Sequence, residues 1–291
     1  MTVKTITCRL IERDMGGKLW NPRTRWTTKQ ILLVFIEDDE GYVGCGEAWI
    51  TGGTPKAVID TIEEDIRPRL IGQDPFFLRR LSDELFKTTE MSARSGTMAA
   101  AWSACDIALW DLIGKRLKTP LYKLLGAANE KIYAYASAGL YGEGKTVADL
   151  AEEMAGYVAK GFDAVKMKVG GAELKEDLAR VAAVREAIGP DVKLMIDALY
   201  NLDVADALRL ANVAAPHDIY FLEAPVSPYD INGQTEVNRK SPIPVCGNEH
   251  QCWTVNFKHL ITSGAVHYVQ FDPAICGGIT EARRIAGSNC T

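Results

Sequence analysis

Lys166 and Lys168 stand two apart in the apolar run 164–169. On a strand, residues two apart point the same way, so the two amines share one face and Val165, Met167 and Val169 take the other. Unpaired lysine is rare inside a protein. Two ammonium groups held close lower each other's pKa, which would make one of them a usable base near neutral pH. The ordinary alternative is a lysine pair reaching solvent from a strand end. Three carboxylates follow at a regular pitch: Asp197, Glu223 and Glu249 are 26 residues apart, each at the end of an apolar run. At the ends of successive parallel strands they would converge on one small volume and repel one another unless a cation sat among them. Oxygen-only ligands suit a hard cation, so Mg²⁺ is the expected cofactor. Taken singly, each acid could instead cap a helix or carry a loop charge. Asp272 ends the next run, shortly before Gly277-Gly278. It could orient a histidine, as carboxylates do in catalytic triads, or simply cap a strand end. His250 follows Glu249 and could serve as an acid, as a donor to substrate, or as an ordinary loop histidine.

These residues need elements to hold them. From residue 130 onward, short apolar runs (132–137, 164–169, 193–197, 219–223, 243–246, 268–272) alternate with amphipathic stretches such as 147–160 and 174–188. That alternation predicts a parallel sheet covered by helices. A β/α unit repeating at this pitch suits a barrel, in which strand ends collect at one rim and carry the chemistry. Before residue 128 the order differs. Strand-like runs at 5–11, 31–37 and 42–49, with a turn at 38–41, precede helical segments at 55–67, 75–84 and 96–114. In the last of these Ala101, Ala104, Cys105, Ala108 and Leu112 recur at helical spacing. Strands then helices predict an α+β domain. The expected organisation is an α+β domain over 1–128 and a β/α barrel domain over 129–291. A barrel needs eight strands and six can be counted. The chain is expected to be missing its C-terminal portion, leaving an open six-stranded sheet with an exposed edge.

The chain has 291 residues, 47% hydrophobic and 24% charged, enough for about two domains and a sizeable core. Thirty-three basic and 38 acidic residues give a net charge of −5 at pH 7. No basic stripe of the kind nucleic acid requires is present, and no apolar run approaches a membrane span. The first residues read as a strand, without the apolar core of a signal peptide. Seven cysteines without a CxxC spacing argue against a disulfide framework or structural zinc, so the cytoplasm is expected and each thiol is read as an apolar filler.

A rival pattern is present. Gly139-Leu-Tyr-Gly-Glu-Gly-Lys-Thr146 matches the phosphate-loop signature, with Gly144, Lys145 and Thr146 as its core, between a strand and a helix. A nucleotide-binding protein built on it would leave Lys166, Lys168, Glu223 and Glu249 without a task.

The Lys-Met-Lys strand, the acids Asp197, Glu223 and Glu249, and Asp272 before Gly-Gly together resemble the enolase superfamily, most closely its mandelate racemase-type branch. The stretches 165–171, 180–190 and 277–282 are typical of it, and 99–126 is similar to its capping domain. The resemblance implies a Mg²⁺-dependent enzyme, forming homo-oligomers, that removes a proton α to a carboxylate while the metal stabilises the developing charge. It implies Lys168 as the base, Lys166 as its tuning partner and contact to the bound carboxylate, and Asp272 as partner of a histidine on the opposite face. It implies Asp197, Glu223 and Glu249 as metal ligands. Substrate contacts are expected from His250 and from the capping loop 16–27, which carries Trp20, Asn21, Arg23 and Arg25, and from 51–55. Two departures stand out. The histidine expected on a seventh strand lies beyond Thr291, and Leu199 occupies the place where asparagine often follows the first metal acid. Asp272, where other branches carry lysine, disfavours muconate cycloisomerase and dipeptide epimerase chemistry. The expected activity is dehydration of an acid sugar. A racemase or epimerase, the nucleotide-binding reading and an inactive remnant are its alternatives.

Overall fold

The structure is a computed structural model that describes residues 2–50, 54–89 and 95–288. Residues 51–53 of the expected specificity loop, and Cys290, lie outside it. The chain begins with β1 (Val3–Asp14), the short β2 (Leu19–Trp20), β3 (Thr28–Asp38) and β4 (Val43–Ala48). Three of these form an antiparallel sheet in the order β1-β3-β4. On β3 every second residue, Leu32, Val34 and Ile36, is buried, as expected for a sheet with one covered face. Asp38 closes the turn into β4 by accepting the amides of Glu40 and Tyr42 on Oδ1 at 2.9 Å.

Helices cover that face. α1 (Pro55–Thr61) runs through a π-helical turn (Ile62–Ile66) into α2 (Arg67–Leu70), followed by α3 (Leu78–Thr88), α4 (Thr97–Arg116) and α5 (Leu121–Leu124). α4 lies directly on β4 because Gly44 and Gly46 present no side chain to it. A Cβ on Gly46 would stand 2.0 Å from the Ala104 carbonyl oxygen, and one on Gly44 equally close to that of Ala108. Gly46→Ala is therefore expected to cost at least the ~1–3 kcal/mol usual for overpacking. A denaturation midpoint equal to that of the unaltered protein would contradict this close approach.

The second half alternates: β5 (Ala136–Ser137), β6 (Tyr141–Gly142), α6 (Val147–Ala159), β7 (Ala164–Lys168), α7 (Leu174–Ile188), β8 (Lys193–Asp197), α8 (Val204–Ala214), β9 (Ile219–Glu223), α9 (Ile231–Lys240), β10 (Val245–Gly247), α10 (Thr254–Thr262), β11 (Tyr268–Val269) and α11 (Gly278–Ser288). Six of the strands form one parallel sheet in the order β11-β10-β9-β8-β7-β5. This is the expected α+β cap followed by a β/α barrel-like sheet of six strands. The two ends of the sheet differ from expectation. Only Ala136–Ser137 of the run 132–137 pairs, with Ile132 92% exposed, and only Tyr268–Val269 of the run 268–272. Both are edge strands among the described residues, so their ladders form on one side only.

The sheet's outer face (Val165, Met167, Leu194, Ile196, Leu222) packs under α6, α7 and α8. Its inner face carries Ala164, Met195, Phe221 and Cys246, in the same strands as Lys166, Asp197 and Glu223. The halves meet where α4 touches the start of α11. There Asp106 accepts hydrogen bonds from the Thr280 amide (2.9 Å) and hydroxyl (2.5 Å), and Ser103 Oγ accepts the Gly277 amide at 2.9 Å. Burial pushes the Asp106 carboxyl up to about 7, against the opposing pull of those hydrogen bonds.

Candidate active site

Strand register assembles the first half of the site. Lys168 of β7 lies beside Asp197 of β8, and Asp197 beside Glu223 of β9. Apolar side chains fix each strand from outside, so the polar ends must turn inward, and Asp197 and Glu223 are wholly buried. Lys166 Nζ donates to Glu223 Oε2 at 2.5 Å and stands 3.4 Å from Asp197 Oδ2, while Lys168 Nζ donates to the same Asp197 oxygen. Gln270 Nε2 donates to the other oxygen of Glu223 at 3.1 Å.

The charges sort themselves by these contacts. Burial opposes the charge on Lys166, but Glu223 and Asp197 outweigh it and hold the ammonium well above the usual lysine range. For Lys166 this corrects the expectation that the lysines depress one another: it faces two carboxylates, and their attraction outweighs burial. Burial likewise works against Asp197, yet two ammonium groups keep its carboxyl below the ordinary value. Glu223 has one ammonium and sits beside the Asp197 charge, so burial and that charge push its carboxyl up to about 7. Glu249, just past β10, is pushed up by burial and by Asp197.

The second half of the site is a cavity of about 760 Å³ between the cap and the strand ends. Glu249, His250 and Asp272 line its barrel side. The His250 ring meets Trp49 and Tyr200 edge-on at 5.0 and 5.1 Å, and its Nδ1 is buried without a hydrogen bond among the described residues, 4.0 Å from Glu249 Oε1. Burial and the Arg23 charge lower its pKa, so the ring is neutral at pH 7. Asp272 accepts the Ala274 amide at 2.8 Å and makes no hydrogen bond to a histidine among the described residues. Arg23 lines the cavity from the cap, anchored by Nη2 on the Tyr200 carbonyl at 2.6 Å. Its loop is held by Asn21, whose Oδ1 accepts the amides of Arg23 and Thr24. Trp20 is not brought to this cavity. Its ring stacks on Tyr141 (6.3 Å, 12°) and is covered by the Arg25 guanidinium at 4.1 Å.

Several cavity residues escaped the sequence reading. Lys29, Gln30 and Glu47 face it from β3 and β4, and Tyr200 from beyond β8. Glu47 had a visible signal, an acid inside an otherwise apolar strand. Three non-glycine residues adopt left-handed backbone within three positions after the acids: Leu199 (φ 45°), Tyr200 (φ 60°) and Ala224 (φ 46°). Such backbone costs on the order of 1–3 kcal/mol each and clusters at functional sites.

The donor set suits a hard divalent cation: three carboxylates at adjacent strand ends, two wholly buried, with burial and the Asp197 charge raising Glu223 and Glu249. No three of the described His, Cys, Asp and Glu residues are gathered at metal-ligand spacing, and Lys166 and Lys168 pair with Asp197 and Glu223. The phosphate-loop pattern offers nothing to a nucleotide. Lys145 Nζ donates to Glu153 and to the Leu140 carbonyl, and the Thr146 side chain caps α6 in a reciprocal pair with Asp149. The six described cysteines are free, and burial raises the thiol of every one. No helix among the described residues is long and apolar enough to cross a membrane.

A cap of this form over parallel strands ending in lysines and acids defines an enolase-type architecture. Residues 149–288 match the enolase C-terminal domain-like family, and residues 21–126 match the mandelate racemase/muconate lactonizing enzyme N-terminal domain. An arabinonate dehydratase of Saccharolobus solfataricus is 35% identical over 256 residues, which are 88% of this chain and 68% of that protein. A D-galactarolactone cycloisomerase of Agrobacterium fabrum is 35% identical over 98% of this chain and 75% of its own length. The crystal structure of a Streptomyces coelicolor racemase with bound magnesium superimposes with a TM-score of 0.92 at 31% identity, covering 98% of this chain and 80% of that one. The chain belongs to the mandelate racemase/muconate lactonizing enzyme family of the enolase superfamily. Its relatives include dehydratases, cycloisomerases and an epimerase, so membership leaves the reaction open.

Proposed function

We propose that this protein is an acid-sugar dehydratase that uses Mg²⁺. The observation that carries the reading is the packing of Lys166 and Lys168 against Asp197 and Glu223 beneath a polar cavity. A divalent cation held by Asp197, Glu223 and Glu249 would neutralise the substrate carboxylate and satisfy these acids in place of the lysines. Lys168 removes the α-proton. The β C–O bond breaks, the departing hydroxyl takes up the proton that Lys168 removed, the resulting enol tautomerises, and the net change is loss of one water to give a 2-keto-3-deoxy acid. Lys166 keeps its charge and contacts the substrate carboxylate. His250 offers a hydrogen bond to the leaving hydroxyl, with Asp272 across the cavity from the cap.

The cap wall narrows the substrate. Arg23 and Lys29 make no ion pair among the described residues, and neither does Glu47, so mixed charge faces the chain of a bound sugar acid. We read cap and barrel as dividing between residues 128 and 129.

The test is a screen of the purified protein against acid sugars with millimolar Mg²⁺, reading 2-keto-acid formation. Turnover that EDTA abolishes supports the reading. Inversion of a stereocentre without 2-keto acid would favour the racemase alternative, in which the α-proton is returned to carbon.

A further inference from the structure

Trp20 lies outside the cavity, yet it is tied to Lys168. We propose that Trp20, Tyr141, Asp177 and Arg180 couple the capping-domain ribbon to the end of β7, with Tyr141 and Arg180 as positioning residues for the Lys168 amine. The proposal rests on Lys168 being the base.

The connection is continuous. β2 pairs with β6, Trp20 opposite Tyr141, and the two rings stack. The Tyr141 hydroxyl donates to Asp177 Oδ1 at 2.6 Å and accepts the Gly171 amide at 2.9 Å. Asp177 Oδ2 accepts the Gly170 amide at 2.6 Å. Arg180 donates from Nη1 to Asp177 (2.8 Å) and to the Lys168 carbonyl (2.8 Å), and from Nη2 to the Gly139 carbonyl (3.1 Å). Its guanidinium lies 3.9 Å from the centre of the Tyr141 ring. Three of the four residues from 168 to 171 are thus held through their backbone by this group. Gly171 is also in close contact, since a Cβ there would fall 2.6 Å from the Tyr141 ring.

Stability alone does not account for such an arrangement. Asp177, Arg180 and Tyr141 are all buried, and an apolar set of the same volume would hold α7 against the sheet at least as well. What the charged set adds is direction. A planar guanidinium fixes two carbonyls at a set angle, which an aliphatic side chain cannot do. The Lys168 carbonyl is one of them, so the root of its side chain is set by Arg180. Trp20, packed on the opposite end of the group, lets the cap ribbon act on that root.

Hydrogen–deuterium exchange of peptides spanning 164–173 tests the coupling without a substrate. The protein is compared with Trp20→Ala and with Tyr141→Phe, which keeps the ring and loses the hydroxyl. Exchange at the amides of Gly170 and Gly171 is expected to quicken by roughly tenfold or more, with β1 and β3 unchanged, the pattern of a local opening. Unchanged exchange over 168–171 in both variants overturns the proposal. Should Trp20→Ala lose protection throughout, Tyr141→Phe decides. Kinetics on an acid sugar that turns over separates this proposal from the reading beneath it. The coupling requires kcat to fall in Trp20→Ala with KM little changed. A rise in KM alone makes Trp20 a substrate contact and overturns the coupling. Turnover that survives Lys168→Ala refutes the base assignment instead, whatever the exchange data show.

Discussion

Replacing Lys168 by alanine is expected to lower dehydration by about 10²–10⁴-fold, the range for loss of a positioned general base. The argument is geometric. Lys168 stands at the very end of β7, beside Asp197, and is the more exposed of the two amines. The fold should survive the change, because Lys166 remains 3.4 Å from Asp197 and the outer face of β7 is untouched. The measurement is 2-keto-acid formation together with exchange of the substrate α-proton in D₂O, followed by NMR. Loss of both identifies Lys168 as the base. Exchange that persists while elimination stops would assign Lys168 to the leaving group and require another base.

Lys166→Met has its largest effect on stability. Glu223 is wholly buried, and Lys166 is its ion-pair partner at 2.5 Å. Removing one member of a buried pair strands the other charge, at about 3–5 kcal/mol. Gln270 remains, but a neutral donor does not replace an ammonium. The pH dependence follows from linkage. The Glu223 carboxyl already lies at about 7, above its unfolded value, so the folded protein binds its proton more tightly. Stability from such a group falls as pH rises from the usual carboxylate range through the folded value. The variant should therefore melt only somewhat below the parent at pH 5 and far below it at pH 8. Millimolar Mg²⁺ should recover part of the loss, since an ion bound only by the folded state stabilises it by mass action. Equal melting shifts at both pH values would show that Glu223 is not the stranded charge. A variant indifferent to Mg²⁺ at pH 8 would remove Asp197, Glu223 and Glu249 as its ligands.

The middle of the sheet was legible because its residues obey one rule at a time. After Lys193, the runs 193–197 and 219–223 are apolar until they end in an acid, and they are the observed strands to the residue, as 174–188 is the observed helix. The edges were not legible, since periodicity describes what a strand can bury and not whether a neighbour pairs with it. The ribbon of β2 and β6 has two residues a side and joins distant segments, so no local pattern announces it. At the site, spacing placed Lys166 and Lys168 on one face. Their electrostatics depended on what stands opposite, which register decides, and register brought carboxylates. Arg23 lines the cavity, while Trp20 meets Tyr141 instead, a partner that only the folded loop supplies. Lys29 and Gln30 lie just before the apolar part of β3 and carried no signal of their own.

The contact between Asp106 and Thr280 spans 174 positions of chain. The amide it accepts belongs to the first turn of α11, where a helix has no internal partner for its N–H groups. One end of a barrel helix is therefore completed by a residue of the cap. At ribosomal speeds of about 5–20 residues per second, roughly 10–35 s separate the emergence of the two partners. During that interval the cap carries a carboxylate meant for burial that is still hydrated. The same bond binds the fates of the two domains once folding is complete. Loosening the cap uncaps α11, and fraying α11 strands the Asp106 carboxylate. The chain is thus expected to melt in a single cooperative transition, although its architecture is that of two domains.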